Sequence, residues 1–149
     1  MTTDDEIRVR TLQLVGAYQT LMARGDWDAW IDLWAEDGVL EFPFAPAGRQ
    51  PIYCGRPEIL GYMKAAAGRI AIDAVARARV FPMHDPAVAV AEVAIKGHVL
   101  PGGAPYDQSY VLFFETSDGK LARYREYWNP LVSMAAFGAD WATGFGTPR

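Results

Sequence analysis

The chain has 149 residues, 51% of them hydrophobic and 21% charged, so we expect one globular domain, residues 1–149, rather than a disordered chain. The net charge of −4 argues against a nucleic-acid-binding protein, and no apolar run is long enough to span a bilayer. The single Cys54 excludes an internal disulfide. The acidic N-terminal segment does not resemble a secretory signal, which favours a cytoplasmic location.

Helical spacing of apolar residues predicts two N-terminal helices joined by a very short connection. The first spans residues 4–24, between a capping box that begins at Thr3 and a stop at Gly25. Asp26 caps the second, which the apolar spacing extends to Gly38. The apolar stripe of this second helix consists of Trp27, Trp30, Ile31 and Trp34. We expect the two helices to pack as an antiparallel pair.

The rest of the chain is largely of β character. A short strand, "VLEFPF", precedes a third helix over residues 55–68. Four long strands follow from about residue 73, with turns at "HDP", "PGGAP" and "SDG", and "LVSMAAFG" predicts a short closing helix. This order predicts an α+β fold, in which a curved mixed or antiparallel sheet wraps around three helices and leaves a conical pocket. The segment from about residue 139 lacks periodicity and is expected to form a C-terminal arm.

The last long strand places a carboxylate among aromatic side chains. In "KLARYREYWNP", strand alternation puts Glu126 on one face with Tyr124 and Trp128, while Arg123 and Arg125 point the other way. A carboxyl group in such surroundings loses hydration, so its pKa rises and it exchanges protons near neutral pH. Glu126 is therefore the first candidate for a catalytic or ligand-contacting acid. The alternatives are a surface charge and a buried structural ion pair.

Aromatic residues supply the other candidates. Tyr18 lies on the apolar face of the first helix, where a buried hydroxyl needs a partner that either a ligand or the backbone supplies. Tyr106 begins the third of the four long strands, and Asp107 must face the opposite way. Residues expected to form either core or the wall of a pocket for a flat apolar ligand are Trp30, Trp34, Phe42, Tyr62, Phe113, Tyr124 and Trp128.

Cofactor and metal motifs are absent from the sequence. There is no phosphate-binding loop, dinucleotide fingerprint or nucleophile elbow. The two histidines, His84 and His98, are too isolated to indicate a metal site. We therefore expect neither a metal nor an organic cofactor.

Three segments resemble the nuclear-transport-factor-2-like superfamily, and within it the SnoaL-like and ketosteroid-isomerase-like group. They are "YQTLMARGDWDAWIDLWAEDGVLEFPF", "CGRPEILGYM" and "DGKLARYREYWNP". Compared with ketosteroid isomerases, Tyr18 falls at the position of the oxyanion-binding tyrosine, whereas Phe42 and Val111 occupy the positions of the two catalytic aspartates. The resemblance thus implies the shared pocket, with Val111 in its wall, but not the isomerisation mechanism of that family.

The later segments are more similar to PhzA/PhzB-type phenazine-biosynthesis proteins. These segments are "VAEVAIKGHVLPGG" and "YDQSYVLFFETSDGKLARYREYWNPLVSMAAFG". The resemblance implies that Glu126 matches an acid/base glutamate and Tyr106 a pocket tyrosine, while the pocket histidine of that family falls near Tyr62 and is not retained. It also implies a homodimer formed through the sheets.

These observations predict a cofactor-independent acid/base enzyme for a small cyclic or aromatic carbonyl compound, in secondary metabolism or catabolism. The reaction classes that remain open are isomerisation, cyclisation, dehydration and condensation. Glu126 would move the proton, and Tyr18 would donate a hydrogen bond to the developing oxyanion, with Tyr106 and Tyr62 as further candidate donors. The alternatives are a module that binds a small apolar ligand without reaction, and a purely structural dimer partner.

Overall fold

The structure, a computed structural model, describes residues 1–138. This range contains four helices and six strands. In chain order they are α1 (Asp4–Arg24), α2 (Trp27–Asp32), β1 (Trp34–Glu41), β2 (Ile52–Cys54), α3 (Arg56–Ala67), β3 (Ile70–Pro82), β4 (Val88–Val99), β5 (Gln108–Ser117), β6 (Lys120–Trp128) and α4 (Pro130–Phe137). The C-terminal arm predicted from about residue 139 lies outside the described residues.

The six strands form one sheet in the order β2-β1-β6-β5-β4-β3. Neighbouring strands are antiparallel except β1 and β6, which run parallel. The predicted α+β class with a mixed sheet is therefore confirmed. None of the helices within residues 1–138 combines the length and apolar character needed to cross a membrane.

The first helix begins and ends where its sequence signals predict. The Thr3 hydroxyl accepts a hydrogen bond from the Glu6 backbone at 3.3 Å, and the Glu6 carboxylate accepts one from the Thr3 backbone at 2.8 Å. Gly25 ends the helix at a φ of 67°, a left-handed conformation that glycine adopts without steric cost. Between these ends, the buried side of α1, which includes Tyr18, packs into the core against the sheet.

The second helix is shorter than predicted, and this changes the position of Trp34. Helix α2 ends at Asp32, and Trp34 begins strand β1 instead of continuing the helical stripe to Gly38. The reason is tertiary: the Leu33 carbonyl accepts a hydrogen bond from the Leu121 backbone at 2.8 Å, which pairs this segment with β6. Sheet pairing thus overrides a helical spacing of tryptophans, residues that also suit strands.

Strand alternation gives the sheet an inner face, which packs against α1, α2 and α3, and an outer face. Leu112 and Phe114 of β5 pair with Glu126 and Tyr124 of β6, and all four side chains lie on the inner face. The core joins this face to the helices. Its buried members include Val15, Tyr18, Trp30, Trp34, Leu40, Phe42, Ile59, Tyr62, Ala89, Ala91, Leu112, Phe114, Tyr124 and Trp128.

Candidate active site

Glu126 lies within β6 on the inner face, between Tyr124 and Trp128. Leu112 of β5 is its partner across the strand pair. Both aromatic neighbours are buried, whereas Arg125 on the other face ion-pairs with Glu115 at 3.5 Å. The shared face that alternation predicted for Glu126, Tyr124 and Trp128 is therefore confirmed.

Burial controls the proton affinity of Glu126. Desolvation raises the pKa of its carboxyl group to about 7, and the positive charge of Arg49 partly opposes that rise. The residue as a whole is only half-buried, but its carboxyl group is surrounded by protein, and the environment of the carboxyl group sets the pKa. Near neutral pH the group is therefore about half ionised, so it can both accept and donate a proton.

A first aromatic cluster surrounds Tyr18 on one side of Glu126. The Tyr18 ring stacks on Tyr124, with a centroid distance of 5.1 Å and an angle of 27°, and meets Phe114 edge-on at 5.1 Å. Trp30 lies 5.2 Å and Trp34 6.4 Å from the same ring. The structure thus brings together four of the residues predicted to line a site: Tyr18, Trp30, Trp34 and Tyr124.

The Tyr18 hydroxyl is a buried donor. The residue is 1% exposed, and its hydroxyl has no hydrogen-bond partner within residues 1–138. Burial and, secondarily, the Glu126 charge raise the pKa of Tyr18 well above its ordinary value, so the hydroxyl stays protonated. The Tyr124 hydroxyl also influences this pKa, but the two hydroxyls do not reach hydrogen-bond geometry. A buried donor without a partner suits a ligand oxygen.

A second aromatic cluster lies on the other side of Glu126, around Phe42. Phe42 is 4.9 Å from Tyr62 and 5.3 Å from Trp128 between ring centroids. Tyr53 completes the cluster, 4.5 Å from Tyr62. Because Tyr124 belongs to the first cluster and Trp128 to the second, Glu126 lies at the junction between the two.

Arg49 is a residue that sequence reasoning missed. It lies in the loop 42–51 between β1 and β2, is 8% exposed, and donates a hydrogen bond from Nη2 to the Tyr62 hydroxyl at 3.0 Å. Its guanidinium is 5.8 Å from the Trp128 ring centroid, and its charge lowers the pKa of Glu126. The loop has no periodicity, so the only available signal was one charged residue within a proline-rich segment.

Tyr110 is a second residue that was missed. It lies on the inner face of β5, opposite Trp128. Burial raises the pKa of Tyr110 well above its ordinary value, with smaller contributions from Tyr106 and Glu126. Its parity with Leu112 and Phe114 was the signal that could have identified it.

Val111 and Phe113 lie on the outer face, which corrects the prediction that they line the site. Val111 pairs with Tyr127 and is 37% exposed, and Phe113 pairs with Arg125, whose guanidinium is 4.8 Å from its ring centroid. The physical reason is the two-residue period of a strand. Once Leu112 faces Glu126, both of its neighbours must point away.

Tyr106 belongs to a separate small core. It packs with Ile95 and Val99, and its ring lies 5.6 Å from that of Phe137. Its hydroxyl is 3.4 Å from the Ser133 hydroxyl. Tyr106 lies close enough to Tyr110 to contribute to the raised pKa of that residue. The substrate contact predicted for Tyr106 stays a prediction.

Two other features lie apart from Glu126. A groove of about 370 Å³ is lined mostly by outer-face residues, among them Phe44, Val111 and Tyr127, and Glu126 does not contribute to it. His98 is also on the outer face, with Nδ1 2.8 Å from the Asp73 carboxylate. Within the described part of the chain, no three His, Cys, Asp or Glu side chains are grouped as a metal site.

Comparison with known proteins identifies close relatives. A family model described as a SnoaL-like domain matches residues 15–124, and the match ends shortly before Glu126. The uncharacterised protein YesE of Bacillus subtilis (strain 168) is 38% identical over 123 residues, which cover 83% of this chain and 84% of YesE. An uncharacterised PhzA/B-like protein of Pseudomonas aeruginosa is 32% identical over 118 residues, which cover 79% of this chain and 83% of that protein.

Solved structures show the same architecture. A candidate isomerase from Bacillus subtilis superposes with a TM-score of 0.79 at 36% identity, covering 92% of this chain and 96% of its own. An NTF2-like protein from Burkholderia xenovorans LB400 gives a TM-score of 0.72 at 17% identity, covering 85% of this chain and 95% of its own, a likeness of fold alone. The predicted nuclear-transport-factor-2-like fold and the resemblance to PhzA/PhzB-type proteins are confirmed.

Proposed function

This chain belongs to the SnoaL-like family, and we propose that it is a cofactor-independent acid/base enzyme for a small cyclic or aromatic carbonyl compound. The observation that carries the proposal is the desolvated carboxyl group of Glu126 at the junction of two aromatic clusters. Glu126 is half-buried as a residue while its carboxyl group is desolvated, which suits a position beside a small cavity better than one in bulk water.

In the proposed reaction, ionised Glu126 removes a proton from the carbon next to the substrate carbonyl. The electron pair of the broken C–H bond forms a carbon–carbon double bond, the π electrons of the carbonyl group move onto its oxygen, and the Tyr18 hydroxyl donates a hydrogen bond to that oxygen. The protonated Glu126 then returns the proton to the substrate. This cycle is supported by a pKa of about 7 for Glu126, because the same group must act in both directions near neutral pH.

The aromatic clusters would hold and desolvate the substrate ring. Tyr18, Tyr124 and Trp34 would contact it on one side, and Phe42 and Trp128 on the other. Aromatic walls favour flat rings, and the low dielectric strengthens the hydrogen bond to the oxyanion. Isomerisation, cyclisation, dehydration and condensation can all begin with this enolisation step.

Proton exchange tests the proposal without knowledge of the natural substrate. Cyclic ketones would be incubated with the protein in heavy water, and deuterium incorporation next to the carbonyl followed by mass spectrometry. We expect incorporation with the native chain and none above background with Glu126→Gln. The control is Glu92→Gln, which removes a carboxylate from the outer face. Incorporation that survives Glu126→Gln would remove Glu126 from the mechanism.

A ligand-binding module without turnover is the alternative, and one observation favours it. The hydroxyls of Tyr18 and Tyr53 have no hydrogen-bond partner within residues 1–138, and such donors suit a bound acceptor whether or not a reaction follows. Binding of cyclic ketones without deuterium incorporation would favour this alternative. The cytoplasmic location expected from the sequence stays a prediction.

The homodimer implied by the family resemblance is also a proposal. It is supported by apolar side chains exposed on the outer face: Phe44 is 55%, Phe81 37% and Val111 37% exposed. Phe44 packs edge-on against Tyr127 of β6 at 5.2 Å, which makes the patch continuous with the sheet. Covering these side chains with a second copy would remove apolar surface from water.

A further inference from the structure

Gln108 is a buried polar residue that the proposed reaction does not use. It begins strand β5, is 1% exposed, and shares the inner-face parity of Tyr110, which pairs with Trp128 of β6. Burial of a side-chain amide costs free energy unless its donors and its acceptor find partners. The partners of Gln108 therefore indicate which parts of the fold it holds together.

The amide of Gln108 binds both backbone groups of Asn129. Its Nε2 donates to the Asn129 carbonyl at 2.9 Å, and its Oε1 accepts from the Asn129 N–H at 2.9 Å. Oε1 also accepts from the Ser109 N–H at 2.9 Å. Two bonds to one residue reproduce the pattern of an antiparallel ladder. They extend the pairing of β5 with β6 one residue beyond Trp128, just before Pro130, which has no N–H to donate.

The same amide also meets the helix that follows β6. Asn129 caps α4, because its side chain accepts a hydrogen bond from the Leu131 backbone at 3.0 Å. Ser133 of α4 is 1% exposed, and its hydroxyl lies 3.5 Å from Gln108 Nε2 and 3.4 Å from the Tyr106 hydroxyl. Gln108 thus joins the start of β5, the end of β6 and the first turn of α4 in one buried network. Such networks favour a single arrangement of the elements that they connect.

Trp128 connects this network to Glu126. It immediately precedes Asn129 in the chain and lies beside Glu126 on the inner face of the sheet. Its buried ring is 5.3 Å from that of Phe42 and belongs to the second aromatic cluster, on one side of Glu126. Displacement of the end of β6 would move this ring and open the carboxyl group of Glu126 to water.

Building on the proposed function, we propose that Gln108 is a positioning residue, which holds the end of β6 and the Trp128 ring in place and so keeps water away from Glu126. It acts through Asn129 and Trp128 and does not itself contact the reacting atoms. The alternative is that Gln108 only stabilises the fold. That role predicts a loss of stability in a Gln108 variant, with no change in the hydration of Glu126.

The experiment follows the Glu126 carboxyl group by carbon-13 NMR across the pH range, in protein labelled at the glutamate side-chain carboxyl carbon. The resonance that is absent from Glu126→Gln identifies the group. Gln108→Met keeps the size and the neutral charge of the side chain but removes its hydrogen bonds. Burial is the largest cause of the raised pKa of Glu126, so entry of water should lower that pKa from about 7 toward 4.5, by about one unit or more.

Thr11→Val is the matched control for Gln108→Met. The Thr11 hydroxyl also makes a polar contact inside the protein, at 2.9 Å from the Thr116 hydroxyl, but at the opposite end of β5. We expect this variant to lose stability and to keep the pKa of Glu126 at about 7. An unchanged pKa of Glu126 in Gln108→Met would show that Gln108 only stabilises the fold, and would overturn the proposal.

Amide hydrogen exchange of the native chain tests the same role without a variant. The Asn129 N–H should exchange roughly a hundredfold or more slowly than in an unfolded peptide, because the Gln108 side chain accepts its hydrogen bond. Exchange at the rate of an unfolded peptide would overturn the proposal even where Gln108→Met does not fold. Neither measurement needs a ligand or turnover, so the positioning role can fail while deuterium incorporation into ketones still supports the acid/base reaction, and the reverse.

Discussion

Arg49 and Glu126 act on one another through charge: burial raises the pKa of Glu126 to about 7, and the guanidinium of Arg49 keeps it from rising further. One residue is in a loop and the other in a strand far along the chain, so only the fold brings them into reach. Burial and Arg49 together give Glu126 a pKa at which its carboxyl group changes protonation state near neutral pH. General acid/base catalysis requires this property.

The first prediction concerns the pH dependence of deuterium exchange. Because the carboxylate form of Glu126 is the base, exchange should rise with pH and level off above about pH 7. Arg49→Met removes the charge that lowers this pKa, so the midpoint should move to higher pH. The measurement is the exchange rate across the pH range for the two proteins. An unchanged midpoint would show that Arg49 does not influence the base.

The second prediction concerns the Tyr18 hydroxyl. Tyr18→Phe should lower the exchange rate by roughly two to three orders of magnitude, the usual effect of losing one oxyanion donor. It should not lower the free energy of unfolding, because a buried hydroxyl without a hydrogen-bond partner within residues 1–138 contributes no such bond to stability.

Tyr53→Phe is the matched control for Tyr18→Phe. It also removes a buried hydroxyl that has no partner in the described chain, but from the second cluster. Urea unfolding and exchange would be measured for both variants. A large loss of stability in Tyr18→Phe would mean that the hydroxyl has a structural role.

The third prediction concerns stability as a function of pH. The pKa of Glu126 is raised from 4.5 in the unfolded chain to about 7 in the folded one, so the folded state binds the proton more tightly. The resulting stabilisation is fully present below about pH 4.5 and is lost as pH rises through about 7. Between about pH 5 and about pH 8 it should fall by about 2 to 3 kcal/mol.

Glu126→Gln has no such titration, so the native protein should lose stability relative to this variant across the interval. Urea unfolding of both proteins at the two pH values measures the difference, and other titrating groups cancel in it. A difference that does not change with pH would contradict the desolvated state of the Glu126 carboxyl group.

The fourth prediction concerns the outer face. If it forms the interface of a dimer, Val111→Arg should convert the dimer to a monomer, because a buried unpaired charge is strongly unfavourable. Sedimentation velocity measures this directly. Ile72→Arg is the control, since Ile72 is 54% exposed but lies on the inner side of the edge strand β3. A native chain that sediments as a monomer would refute the interface.

The fifth prediction concerns two glycines with opposite surroundings. A Cβ at Gly38 would lie 2.9 Å from the Trp34 ring and 3.1 Å from the Ala35 carbonyl, so Gly38→Ala should destabilise the fold by about 1 to 3 kcal/mol. A Cβ at Gly16, in the exposed part of α1, meets nothing within 4 Å, so Gly16→Ala should stabilise it by about 0.5 to 1 kcal/mol. Thermal unfolding of both variants provides the comparison.

Local patterns in the sequence determined the limits of several elements and the face that Glu126 shares. Strand β6 spans the predicted residues, Lys120–Trp128, and α1 is capped at the predicted Thr3 and Gly25. These features depend on neighbours within a few residues, through the two-residue period of strands and the capping of helix ends. For the same reason, strand alternation alone was enough to place Glu126 on the aromatic face of β6.

Only the tertiary structure decided which side of each strand is covered and what approaches it from a distance. Trp34 became a strand residue because it pairs with Leu121, and Val111 points outward because Leu112 faces Glu126. Arg49 lies next to Trp128 although it belongs to a loop whose sequence has no periodic pattern. Alternation divides a strand into two faces but does not say which one the helices cover. Long-range contacts, which carry no local spacing signal, therefore set the charge beside Glu126.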